Sequence, residues 1–166
     1  MLLKTLNKKK VSSICLGTWA LGGNNKKLQA YGKLKEKPEN ILKYSFKKKI
    51  NFFDTANVYG NSENILGNVF NKKRKSVFIA SKVGCASFDK KLDFSKIFIE
   101  KQIKKMLSNL QTNYVDLIQL YGPPKNIAEI KNCLEFLSHL KEKKIIRYLG
   151  ISLKNPSDYL YFRKFY

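Results

Sequence analysis

The chain has 166 residues, 43% of them hydrophobic, with 33 basic against 12 acidic side chains and a net charge of +21. That size predicts one soluble domain burying roughly 70% of its unfolded surface, with no run near the ~20 apolar residues of a membrane span and no apolar signal stretch in MLLKTLNKKKVSS. Cys15, Cys85 and Cys133 are scattered and never form a C-x-x-C pair, which argues against a disulfide framework or a metal site and fits a reducing cytoplasm.

In chain order, Leu2–Leu6 and Val11–Ile14 predict a hairpin across an Asn7–Lys10 turn, followed by a short strand at Ile14–Leu16. Glu36–Lys49 carries Ile41, Leu42 and Phe46 at helical spacing. Asn51–Phe53 reads as a short buried strand, and Asn61–Asn71 as a short helix capped by Asn61 or Ser62. Ser76–Lys82 is a strand, and Phe94–Leu110 a strong amphipathic helix through Ile97, Ile103, Met106, Leu107 and Leu110. Val115–Leu120 is a strand, Asn126–Lys143 a helix and Tyr148–Ser152 a strand; Asn155-Pro156-Ser157-Asp158 opens a last helix with proline at its first position. Strand and helix alternating every 25–40 residues or so predict a parallel sheet with right-handed crossovers, five strands in all.

The charge excess invites a nucleic-acid reading. Its form argues against that as the main role. Only Arg74, Arg147 and Arg163 are arginine, and the lysines lie in short runs such as Lys8–Lys10, Lys47–Lys49 and Lys72-Lys73. The runs are dispersed at turns and helix ends rather than gathered on one stripe, and groove reading favours the arginine fork.

Three buried strands end in functional groups. Ile50–Phe53 runs into Asp54, with Tyr59 five residues on; Val77–Ala80 runs into Ser81-Lys82; Val115–Leu120 runs into Tyr121. Parallel α/β folds gather such ends at one face, where active sites are built. A lysine beside a phenol favours the phenolate, and an aspartate balances the ammonium, so Tyr59 is a candidate proton donor. From spacing alone, a structural Asp54–Lys82 ion pair with Tyr59 as a packed aromatic is an equal reading.

INFFDTANVYGNSENILGNVF resembles the signature segment of the aldo-keto reductases, an Asp-Thr-Ala…Tyr-Gly-x-Ser-Glu…Leu-Gly pattern. CLGTWALGG, VFIASKVG and IIRYLGIS resemble that family's first, third and fifth strands, in order along nearly the whole chain. The resemblance implies a TIM (β/α)8 barrel with an N-terminal hairpin at its base, and NADPH-dependent reduction of an aldehyde or ketone. It places Tyr59 at the proton donor, Lys82 at the residue that tunes it and Asp54 at the lysine's partner. The fourth catalytic position is a histidine in a Gln-Leu-His motif, and here it is Tyr121 in Gln119-Leu120-Tyr121. The single histidine, His139, falls in an outer helix and is not a substitute. Gly17, Thr18 and Trp19 match the loop lining the nicotinamide and substrate pocket. Ser152 matches a serine on the nicotinamide carboxamide, with Leu153 where an asparagine usually stands.

The family barrel runs to about 250 residues or more, so the expectation for residues 1–166 is a single, truncated barrel domain of about five βα units. The groups holding the rest of the cofactor would come mostly from the sixth to eighth strands. Five strands cannot close a barrel, so a homodimer or partner chain covering the open edges is expected. Lys49 also stands where the family usually has a glycine ending the first helix, a left-handed position costing roughly 1 kcal/mol. The reading is therefore an oxidoreductase of the cytoplasm acting on a small carbonyl substrate. The alternative is a non-catalytic remnant or binding subunit completed by a partner chain.

Overall fold

Side chains that turn alternately to the two faces of a parallel sheet set the layers of this fold. The structure, a computed structural model, describes residues 2–6, 9–23, 34–87, 92–123, 126–153 and 155–163. Its elements are β1 Leu3–Leu6, β2 Lys9–Ser12, β3 Cys15–Gly17, α1 Pro38–Lys47, β4 Phe52–Asp54, α2 Ser62–Phe70, β5 Phe78–Val83, α3 Lys96–Asn109, β6 Val115–Tyr121, α4 Lys131–Glu142, β7 Ile146–Ser152 and α5 Asp158–Phe162. Strands β3 to β7 form one parallel sheet in chain order, and β1 pairs antiparallel with β2. This is a partial TIM barrel with its N-terminal hairpin.

Phe53, Ile79 and Ile118 point outward and are sealed by Leu42 of α1, Leu66 and Phe70 of α2, Ile103 and Met106 of α3, and Leu137 of α4. Removing such surfaces from water is the main favourable term in folding. The central strand β5 is buried at every residue. On the inner face, the Phe78 ring meets Phe52 at 4.9 Å and Tyr148 at 5.9 Å between centroids.

The hairpin docks at the N-terminal ends of the strands. Asn51 accepts from the Ser12 amide through Oδ1 (2.7 Å) and donates to the Lys10 carbonyl (3.0 Å). Lys9 donates to the Val77 carbonyl at 2.7 Å and reaches Asp116 Oδ1 at 3.1 Å. The fully buried Asp116 side chain also meets Arg74 at 2.7 Å and Arg147 at 2.9 Å. Both guanidiniums lie against the Tyr114 ring, at 4.2 and 4.1 Å from its centroid. A buried carboxylate needs such partners, because unpaired it would lose its hydration for nothing.

Helices α1, α3 and α4 end alike. Lys49 (φ 66°), Gln111 (φ 51°) and Lys144 (φ 60°) are all left-handed. At the first, the Lys49 amide donates to the Phe46 carbonyl and the Ile50 amide to the Ser45 carbonyl, a Schellman closure. The other two repeat it, with Thr112 donating to Leu107 and Ile145 to Leu140. Lys49 thus adopts the strained conformation expected of it.

Several expected boundaries move. Lys9 and Lys10 belong to β2 rather than to the turn, whose residues 7–8 lie outside the described chain. The helix expected over Asn126–Lys143 starts as a 3-10 turn at Ile127–Ile130 and becomes α-helical only at Lys131. Pro156 precedes α5 by a turn instead of opening it. Asn61 occupies the cap position of α2, but makes no capping hydrogen bond from its side chain and accepts one from Asn64 instead.

Candidate active site

The C-terminal ends of β4, β5 and β6 converge because the sheet keeps them in register: Asp54 lies opposite Ala80, and Lys82 opposite Gln119. Period-two alternation then turns Asp54, Lys82, Gln119 and Tyr121 to the inner face. Lys82 donates to Asp54 Oδ1 at 2.5 Å and to the Thr55 carbonyl at 3.0 Å. Its ammonium also stands 4.9 Å from the centre of the Tyr59 ring. The lysine side chain is only 7% exposed, so its charge is compensated locally rather than by water.

The Tyr59 loop is held from two sides. Asn57 donates to the Cys85 carbonyl at 2.8 Å, fastening the loop to the end of β5. On the other side, the Asn61 amide donates to the Gly22 carbonyl at 2.8 Å. A Cβ on Gly22 would lie 1.6 Å from the Tyr59 carbonyl oxygen, so only glycine permits this approach. The contact carries Trp19, in the 3-10 turn Trp19–Gly22, onto the Tyr59 ring, stacked at 6.0 Å.

Tyr121 packs with Tyr59 against Ala56, Val58 and Cys85. Burial, with Tyr59 and Cys85 nearby, pushes the Tyr121 phenol above its ordinary value, and Lys82 opposes this only in part. Tyr121 therefore keeps its proton at neutral pH and can donate a hydrogen bond. His139 lies on α4, its side chain 55% exposed and 3.7 Å from Glu142.

The structure brings Asp54, Tyr59, Lys82 and Tyr121 together around one face. Gly17 pairs with Asp54 at the end of β3, and Ser152 pairs with Tyr121 at the end of β7. Thr18 is fully buried and donates its hydroxyl to the Asp54 carbonyl at 2.9 Å, so its side chain braces the strand end. Sequence reading missed Gln119, whose amide donates to Asp54 Oδ2 at 3.1 Å. The signal was its parity, since it lies two residues before Tyr121 and so on the same face.

The sequence profile of the Aldo/keto reductase family matches residues 13–162. The chain belongs to that family. The aldo-keto reductase chain is 33% identical over 153 residues to the uncharacterized oxidoreductase YqkF of Bacillus subtilis, covering 89% of this chain and 46% of YqkF. It is 32% identical over 128 residues to D-arabinose 1-dehydrogenase of Saccharomyces cerevisiae, covering 74% of this chain and 38% of that enzyme. It thus spans less than half the length of these curated relatives. Among solved structures, the holo form of aldo-keto reductase AKR11C1 from Bacillus halodurans superposes with a TM-score of 0.79 at 29% identity, covering 99% of this chain and 54% of that one.

Proposed function

We propose that this site reduces an aldehyde or ketone with NADP(H), Tyr59 donating the proton. The observation that carries the reading is the placement of the Lys82 ammonium, which joins the Asp54 carboxylate to the Tyr59 ring. The alkoxide forming on the substrate must be protonated, and a phenol beside a fixed cation gives up its proton more readily than one in water. Asp54 and the Thr55 carbonyl fix that cation in position. Tyr121, held in its protonated form by burial, offers a second donor to the substrate oxygen.

The inner face suits the nicotinamide end of the cofactor. Gly17 presents bare backbone, with nothing within 4 Å of where a Cβ would stand. Trp19 supplies a flat wall beside Tyr59, and Ser152 a hydroxyl beside Tyr121. When bound, the cofactor supplies the hydride. The described residues account for this end alone, so chain 1–166 should bind NADPH no tighter than about millimolar, worth about 4 kcal/mol. In a barrel completed with the later strands of a related reductase, Tyr59→Phe should abolish turnover in NADPH absorbance assays. Turnover that survives the substitution overturns the assignment.

A second reading, a binding subunit completed by a partner chain or second copy, is favoured by the inner face of the outermost strand. Tyr148, Gly150 and Ser152 of β7 are each left part-exposed. Light scattering of the purified chain tests it: a mass of one chain at micromolar concentration rules out self-completion.

A further inference from the structure

The lysine runs that look dispersed along the sequence meet in space. In an alternating βα fold every helix-to-strand turn lies at the N-terminal ends of the strands, so runs at successive helix ends share one face. Two adjoining grooves open there, opposite the Tyr59 site, with volumes of about 640 and 810 Å³. Lys72, Lys73 and Lys75 line the first; Lys141, Lys143 and Lys144 line the second. All six are exposed. Asn113 and Tyr114 line both grooves and join them. Lys73 also lies 5.9 Å over the Phe46 ring, near the end of α1.

We propose that these joined grooves bind the phosphate backbone of a single-stranded nucleic acid, a property separate from the oxidoreductase site. Three features favour a phosphate backbone over a membrane surface as the occupant. No acidic residue lines either groove, so the lysine charge is uncompensated at the surface. Asp116, behind the shared wall, is fully buried and already held by Lys9, Arg74 and Arg147, and the exposed Glu142 beside the second groove faces His139. None of the exposed large hydrophobic side chains among the described residues lines a groove, although an anionic membrane would call for such an anchor. Lysines at helix ends ordinarily serve the helix dipole. Three after α2 and three at the end of α4, on either side of the chain that follows α3, exceed what that role needs. The shared wall is also stiff, since Tyr114 is fixed against Arg74 and Arg147. Point charges on flexible stems follow a backbone without reading bases, so binding is non-specific in sequence.

The test uses the 166-residue chain and a fluorescein-labelled mixed-sequence oligonucleotide of about 20 nucleotides, as RNA and as DNA, read by anisotropy against salt. With about 0.7 counterions released per phosphate neutralised, six lysines predict a log–log salt slope of roughly −4. Replacing Lys72, Lys75, Lys143 and Lys144 together by Gln should weaken binding at least tenfold and reduce the slope to roughly −1.5. Replacing the exposed Lys43, Lys96, Lys101 and Lys105 by Gln removes the same charge and should leave the slope near its original value. Acetylation footprinting of the unsubstituted chain avoids any folding defect: bound oligonucleotide should protect the six groove lysines and spare those four. Equal weakening by both sets, uniform or absent protection, or tighter binding to phosphatidylserine vesicles than to the oligonucleotide overturns the proposal.

Discussion

Gln119 and Asp54 share a hydrogen bond of 3.1 Å across the strand ends, on the carboxylate oxygen that Lys82 leaves free. Both oxygens of Asp54 are thereby occupied, and the carboxylate cannot rotate away from the lysine. Gln119→Leu removes that donor from a part-buried acceptor and should cost about 1–2 kcal/mol in urea unfolding. Gln119→Glu should cost more, because it sets a second carboxylate beside Asp54. A Gln119→Leu variant with the original unfolding midpoint would show that the bond contributes nothing.

The left-handed helix ends are direct targets for stabilisation. Lys49→Gly and Lys144→Gly relieve positive φ angles of 66° and 60°. Each should gain about 1 kcal/mol, less a few tenths for the added freedom of glycine in the unfolded chain. Thermal melting should rise by roughly 2–4 °C for each. A fall would mean that the lysine stem packs more favourably than the backbone strain costs.

Glu63 gives the fold a pH dependence of definite sign. It is buried, accepts from Ser81 and Asn109, and has its carboxyl raised above the ordinary 4.5, by burial first. The unfolded chain releases this proton first, so Glu63's contribution is full below the ordinary value and is lost as pH rises through the raised one. Glu63→Gln keeps an acceptor for Asn109 and offers the Ser81 hydroxyl a donor in place of its present acceptor, while abolishing the titration. In urea unfolding the variant should gain on the parent chain as pH climbs above the ordinary carboxyl value of 4.5. An unchanged difference between the two proteins would show that Glu63 does not titrate in that window.

The Tyr121 prediction concerns rate and belongs to the completed barrel. Its phenol is a donor, but it is packed against Cys85 and Tyr59 rather than free to align. Losing one aligned donor to a developing oxyanion costs about 10²–10³ in rate, about 2.7–4 kcal/mol. Tyr121→His should therefore raise kcat for a simple aldehyde at least tenfold. An unchanged or lower kcat would show that the phenol already serves the reaction.

Much of this was legible before folding. Asp54, Lys82 and Tyr121 could be set at one face because each follows a buried apolar run, and Lys49 because it stands where the family usually ends its first helix with glycine. Gln119 was not, since a glutamine within a strand carries no sign of which carboxylate it will meet. Pro156 misled because its preference for a helix's first position is statistical, while Ser157 took the cap here. The common face of the lysine-rich helix ends was not legible either. Their sequence separation says nothing about distance once every helix returns its end to the same side.

The cluster at the base of the sheet also sets an order in which the protein can be made. Each strand from β4 to β7 pairs with the one synthesised just before it, so the sheet can grow at its edge as the chain leaves the ribosome. The hairpin, docked early through Asn51, completes its ion pairs only later. Lys9 must wait 107 residues for Asp116, roughly 5–20 s at ordinary translation rates. Arg147 arrives later still, on the last strand. The first segment synthesised thus gains its buried ion pair only when β6 is in place, and until then the carboxylate cluster at the base of the sheet remains unformed.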